Sequence, residues 1–93
     1  MTIFDQISSR IIKEQELIIG PVAWEQAKKV PGLRVIDASK GEVALDGNVK
    51  DSIQNLVSQY SNLFGPASAE ACREAVQDLL VELPKDQVPT ILQ

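Results

Sequence analysis

The chain contains no histidine and a single cysteine, Cys72, among its 93 residues. Histidine is the commonest general base and the commonest metal ligand, so its absence excludes the most usual forms of acid–base and metal catalysis. One cysteine cannot form an internal disulfide or a paired-cysteine metal site. The sequence also lacks a glycine-rich phosphate loop and a nucleophile motif. We therefore expect a non-catalytic protein that uses no cofactor and no metal ion.

Positive charge is also scarce. The chain has 9 Lys and Arg residues against 13 Asp and Glu residues, which gives a net charge of −4 and a pI near 4.6. Lys28 and Lys29 form the only adjacent basic pair, so we expect no cationic face for nucleic acid. The strongest apolar run, Leu17 to Trp24, is too short to span a bilayer and is interrupted by a Gly-Pro pair. Residues 1–5 do not resemble a secretory leader, and together with the single cysteine this predicts a cytoplasmic location.

Apolar residues make up 44% of the chain, enough for one modest core in a single domain of this length. Most of them recur at spacings of three and four, which is typical of amphipathic helices. In the middle of the chain the period changes to alternation around a turn, which indicates a β-hairpin. The sequence therefore predicts a mainly α fold (α+β) of four helices, arranged as two helix–Gly-Pro–helix units with a small β-hairpin between them. The predicted segments are a helical unit at 1–32 with helices at 2–19 and 21–30, a hairpin at 33–47, a second helical unit at 48–83 with helices at 48–64 and 66–83, and a C-terminal tail at 84–93.

The two helical units resemble one another in sequence. Residues 18–28 align with residues 63–73 at a constant offset of 45, so that Gly20-Pro21 matches Gly65-Pro66. A Gly-Pro pair can end one helix with a left-handed residue and begin the next with proline in its first turn. Two interpretations stay open: an internal duplication whose halves pack about a rough twofold axis, or a helix corner common to unrelated helical hairpins.

Few side chains offer chemistry. Cys72 falls on the apolar side of the fourth helix, which favours a small core residue over a reactive thiol. Glu25 and Glu70 occupy equivalent places after the two Gly-Pro pairs, where a carboxylate stabilises a helix N-terminus; a metal or proton site would require the two to meet. Trp24, the only tryptophan, is interpreted as a core residue or as an exposed binding anchor. An enzyme would have to use Glu25, Glu70, Tyr60 or Cys72, and this is the least favoured function.

The third predicted helix is the most informative feature for function. From Ser52 to Phe64 it carries no charged residue, whereas the first helix carries several on its solvated face. Loss of charge with retention of polar amides is typical of the centre of a protein–protein interface, although a tolerant solvated face gives the same pattern. The predicted interface residues are Ser52, Gln54, Asn55, Ser58, Gln59, Tyr60 and Asn62.

These observations favour a non-catalytic protein–protein interaction or dimerisation module, of a regulatory or adaptor kind, that acts through the third helix. The expected partner is a second copy of the chain, because twofold dimers are the commonest oligomers. The alternative is a helical domain that binds a small apolar ligand or a lipid in a pocket between its helices. The fourth helix carries acidic residues from Glu70 to Glu82, which indicates either a docking face for a basic partner or an ordinary solvated face.

Overall fold

The computed structural model describes residues 2–93, which form four α-helices, one antiparallel pair of strands and two short 3₁₀ helices. In chain order the elements are α1 (Ile3–Ile19), α2 (Val22–Ala27), β1 (Leu33–Asp37), β2 (Glu42–Leu45), α3 (Val49–Phe64), α4 (Pro66–Leu80) and the 3₁₀ helices Lys85–Gln87 and Thr90–Leu92. The predicted mainly α fold, with a hairpin between the second and third helices, is confirmed.

Both long helices begin where the sequence predicts. The Thr2 hydroxyl accepts a hydrogen bond from the Asp5 N–H, and the Asp5 carboxylate accepts one from the Thr2 N–H, both at 3.1 Å. This pair satisfies two backbone donors at the start of α1. Asn48 caps α3 by accepting from the Asp51 N–H at 3.1 Å. α2 and α4 each end three residues earlier than predicted, because the backbone after each continues as tight turns with hydrogen bonds three residues back.

The two Gly-Pro corners have the same backbone geometry. Gly20 has φ 79° and ψ −164°, and Gly65 has φ 95° and ψ 172°, a region that essentially only glycine adopts. Each glycine N–H donates to the carbonyl oxygen four residues earlier at 2.9 Å, which closes the long helix. The following proline has the helical φ that suits the start of the next helix. The Gly-Pro identity thus follows from this geometry, whether or not the two halves share an origin.

The hairpin lies against α1. An irregularity in the register of the two strands leaves Ile36 as an extra, exposed residue, as in a β-bulge. α1 holds the hairpin at two points: Asp5 accepts a hydrogen bond from the Leu45 N–H at 3.2 Å, and the Ser9 hydroxyl donates to the Gly41 carbonyl oxygen at 2.5 Å. These contacts supply the support that an isolated two-stranded hairpin lacks in water.

α3 contacts the other three helices and the C-terminal tail. The buried Tyr60 hydroxyl donates to the Ala23 carbonyl oxygen in α2 at 2.7 Å. The C-terminal tail also covers α3, because the Gln54 side chain accepts a hydrogen bond from the Ile91 N–H at 2.9 Å and Leu92 is buried. The core draws on all four helices and both strands. Its members include Ile7, Ile11, Ile12, Trp24, Ala27, Leu33, Val43, Ile53, Leu56, Val57, Cys72, Val76 and Leu79.

We expect Gly20→Ala and Gly65→Ala each to lower the free energy of unfolding by about 1–3 kcal/mol, because a side chain strains this backbone conformation. No atom lies within 4 Å of an added Cβ at either corner, so clashes contribute little and the two losses should be similar. Urea denaturation followed by circular dichroism measures both. Gln77→Ala, at an exposed position of α4, is the control and should change stability little. A Gly20→Ala or Gly65→Ala variant as stable as the parent chain would contradict this account of the corners.

Candidate interaction surface

The predicted interface on the third helix is partly buried within the chain itself. Tyr60 is fully buried, and Ser52 is nearly so, with its hydroxyl donating to the Pro31 carbonyl oxygen at 3.3 Å. The prediction that these two side chains contact a partner is wrong, because α2, the loop before β1 and the core cover them. Tyr60 continues the apolar stripe of α3, and this spacing is the signal that it belongs to the core.

Two further amides of the predicted interface form hydrogen bonds inside the chain. Gln54 holds the tail, and Gln59 Nε2 donates to Gln26 Oε1 at 2.8 Å. Both side chains are half-buried, as is Ser58. Asn55 and Asn62 are the exposed members of the set. Internal hydrogen bonding therefore explains part of the uncharged face, and an open polar stripe of Asn55, Ser58 and Asn62 is left.

The other sequence candidates have structural roles. Trp24 lies in the core, 5% exposed, with its indole N–H donating to a carboxylate of α1 at 2.8 Å, so it is not an exposed anchor. Glu25 and Glu70 are exposed, and each pairs with a cation three residues later, at 3.8 Å to Lys28 and 3.2 Å to Arg73. Exposed pairs of this kind add little stability. Within residues 2–93, no group of three or more acidic, histidine or cysteine side chains is arranged to hold a metal ion.

The surface that the sequence patterns missed surrounds the two Gly-Pro corners. The helical stripes predict Ile18, Leu63 and Phe64 as buried, but these side chains are 58%, 53% and 41% exposed. That prediction is wrong because each corner ends its helix one turn beyond the core that covers it. The signal is the adjacent apolar pair before each glycine, since neighbouring residues point about 100° apart on a helix. The large apolar side chains that flank the corners and are exposed are Leu17, Ile18, Val22, Leu63 and Phe64.

The two corners come together to form one groove, which we call the corner groove. Its walls are Ile18 and Ile19 at the end of α1, and Phe64, Ala67 and Ser68 around the second corner. The groove has a volume of about 320 Å³ and a mainly apolar lining. Ligand sites have volumes of about 300–1,000 Å³, so the groove has room for a small molecule or for an apolar side chain.

The stretch of chain that leads into the second corner and follows it carries no charged residue. No Asp, Glu, Lys or Arg occurs from Ser52 to Ala69, a run that covers most of α3, the second corner and the start of α4. The polar stripe of α3 leads directly into the exposed apolar residues before the second corner. The exposed side chains of α3 and its end are therefore uncharged, whether polar or apolar. This charge-free surface consists of Asn55, Ser58, Asn62, Leu63 and Phe64.

Burial keeps the two ionisable groups of the core in their neutral forms. It raises the pKa of the Cys72 thiol to about 12, against the opposing effect of a hydrogen bond from Gln15. Burial likewise raises the pKa of the Tyr60 hydroxyl above its ordinary value. A neutral, buried thiol is a poor nucleophile. Cys72 is therefore a core side chain, as the sequence pattern indicates.

Comparison with known proteins adds nothing on function. No family model, no curated protein and no solved structure matches the chain. Among residues 2–93, no helix is both long and apolar enough to cross a membrane. The function is therefore argued from the charge-free surface and the corner groove.

We expect the Cys72 thiol of the folded chain to react with an aromatic disulfide reagent about a hundredfold more slowly than that of the urea-unfolded chain. Burial raises the folded-state pKa of the Cys72 thiol from 9.0 to about 12. The buried neutral thiol therefore contributes its full stability below pH 9, and this contribution is lost as the pH rises toward 12. The urea midpoint should fall over this range, and less steeply in Cys72→Ala. Equal reaction rates of the Cys72 thiol in the folded and the urea-unfolded chain would contradict its burial.

Proposed function

We propose that the chain is a non-catalytic protein interaction module that forms a homodimer through its charge-free surface. The observation that carries this proposal is the run from Ser52 to Ala69 without a charged residue, in a chain whose net charge is −4. Two identical acidic chains repel one another wherever their carboxylates face each other. This repulsion is weakest at the charge-free surface, so a second copy fits there better than elsewhere on the chain.

Exposed apolar side chains supply the attraction. Leu63 and Phe64 are exposed at the end of α3. Covering them stabilises the dimer by about 25 cal/mol for each Å² of apolar surface removed from water. Asn55, Ser58 and Asn62 contribute neutral hydrogen-bonding groups, as polar residues do around an apolar interface core. An interface of standard size takes about 800 Å² from each partner. The chain has 5032 Å² of accessible surface, so such an interface covers about a sixth of it.

The acidic side of α4 is the least suited face for a second copy. The exposed carboxylates on α4 and in the turn after it include Glu74, Asp78 and Glu82, and pairing two such faces would bring like charges together. Asp78 is held by Arg10 of α1 at 2.6 Å, which leaves the other carboxylates to the solvent. This distribution supports contact through α3 and disfavours contact through α4.

A second candidate function is the binding of a small apolar ligand, which the corner groove favours. The groove lies between the end of α1 and the second corner, and its lining is mainly apolar. Ligand sites often lie between the helices of a bundle. Native mass spectrometry of the purified chain tests this candidate, because a bound apolar molecule adds its mass to that of the protein.

Asn55→Asp should weaken dimerisation about tenfold or more, because it places an unpaired carboxylate in the interface, where burial costs about 1–3 kcal/mol or more. Gln77→Glu makes the same isosteric change from amide to carboxylate at an exposed position of α4 and should have little effect. Sedimentation equilibrium at increasing protein concentration measures both dimer affinities, and circular dichroism checks that both variants keep their helices.

Added salt should strengthen the dimer of the unchanged chain, because it screens the repulsion between two chains of net charge −4. A chain that stays monomeric up to millimolar concentration would contradict the proposal. A dimer that Asn55→Asp and Gln77→Glu weaken equally would contradict the surface assigned to it.

A further inference from the structure

A further cavity, which shares no residue with the corner groove, lies along α1. It has a volume of about 200 Å³, and its walls are Gln6, Ser9, Arg10 and Lys13. These residues recur at spacings of three and four, so their side chains lie on one face of the helix. Two of the four are cations and none is acidic, although acidic residues outnumber basic ones in the chain as a whole. The lining is therefore positive in an otherwise acidic chain.

The side chains of this cavity offer hydrogen-bond donors that the chain itself leaves unused. Arg10 uses Nη1 to hold both oxygens of Asp78, at 2.6 and 2.8 Å, while its Nε and Nη2 form no hydrogen bond within residues 2–93. Together Nε and Nη2 form a fork that matches two oxygens of a carboxylate or phosphate. In the same described part of the chain, Lys13 has no carboxylate within 4 Å. Gln6 is exposed and adds an amide with two further N–H donors.

The turn of the hairpin positions Lys13 beside the cavity. Gly41 has φ 70°, and a Cβ added there would overlap Lys13 Cε and lie 2.8 Å from its Nζ. The amine end of Lys13 therefore lies against this turn, where only a glycine leaves it room. The turn is itself fixed to α1, because the buried Ser9 hydroxyl donates to the Gly41 carbonyl oxygen. A cation that is already held in place loses less conformational freedom when it binds an anion.

We infer that this cavity binds a small dianionic oxyanion, namely a phosphate group, either as the free ion or at the end of a small phosphate ester. The phosphate oxygens accept hydrogen bonds from Arg10 Nε and Nη2, from Lys13 Nζ and from the Gln6 amide. Doubling the charge of the anion doubles its Coulomb attraction to the two cations, so a phosphate is favoured over a carboxylate. Sites for drug-sized ligands begin at about 300 Å³, so this cavity admits the anionic group alone. The inference requires neither the dimer nor a ligand in the corner groove.

The test is a titration of inorganic phosphate into the full ¹⁵N-labelled chain at about pH 8, where phosphate is mainly dianionic. Sodium chloride keeps the ionic strength constant, because salt screens these charges. We expect saturable shifts of the Arg10 Nε–H signal and of the Lys13 and Gly41 amide signals, and about tenfold weaker binding of acetate, a monoanion. Glycerol 3-phosphate separates the two sources: tighter binding than inorganic phosphate assigns the cavity to a phosphate ester, and equal or weaker binding assigns it to the free ion.

Matched variants locate the site. Lys13→Gln should weaken phosphate binding about fivefold or more, because it removes one of the two cations. Lys29→Gln makes the same change of charge at an exposed lysine outside the cavity and should have little effect. Asp78→Asn should strengthen binding about threefold, because it removes the carboxylate that competes for Arg10. Circular dichroism checks that each variant keeps its helices.

Shifts that do not saturate, or equal affinities for phosphate and acetate, would overturn the inference. Equal weakening by Lys13→Gln and Lys29→Gln would also overturn it, because phosphate would then respond only to the net charge of the chain. The comparison of the two anions needs no variant, so it decides the question even where a variant fails to fold. Each of these outcomes leaves the dimer and the corner groove untouched, since neither includes a residue of this cavity.

Discussion

Each Gly-Pro corner makes a long helix end and a second helical segment begin within two residues, and the arrangement of the surface depends on this constraint. Gly20 and Gly65 adopt backbone conformations that other residues avoid, so neither α1 nor α3 continues past its last apolar turn. The side chains of these turns, among them Ile18 and Phe64, lie beyond the core and stay at the surface. Because α1 and α3 pack against each other, the two apolar ends meet, and the corner groove is the consequence.

A few buried polar groups connect the helices. The Tyr60 hydroxyl joins α3 to α2 at 2.7 Å, and the Trp24 N–H joins α2 to α1 at 2.8 Å, so both donors are satisfied. Gln15 joins α1 to α4 but leaves its oxygen unpaired. An unsatisfied buried group costs about 1–3 kcal/mol, whereas an apolar residue of the same shape would avoid this cost. Gln15 therefore connects α1 to α4 at a cost in stability.

The features predicted from the sequence are those that local residues determine. Thr2 and Asn48 cap their helices through residues three positions away, and the Gly-Pro pairs determine the corners. Helix starts and corners can therefore be predicted from short segments of sequence. Which side of a helix is covered depends on residues distant in the chain. Gln54 forms its hydrogen bond with Ile91, and no local pattern predicts that contact. Periodicity identifies the apolar stripe that includes Ile18, but it does not show where along the stripe the covering core ends.

Phe64 belongs to both proposed contacts, since it ends the charge-free surface and lines the corner groove. A second copy that packs on the end of α3 and a small apolar ligand in the groove would therefore meet at one side chain. Their binding free energies are then coupled, and linkage makes the coupling equal in both directions. A ligand that weakens the dimer by a given factor is bound more weakly by the dimer by that same factor. Because the rest of the chain is acidic, this uncharged region is where a small neutral molecule can influence self-association without competing against charge repulsion.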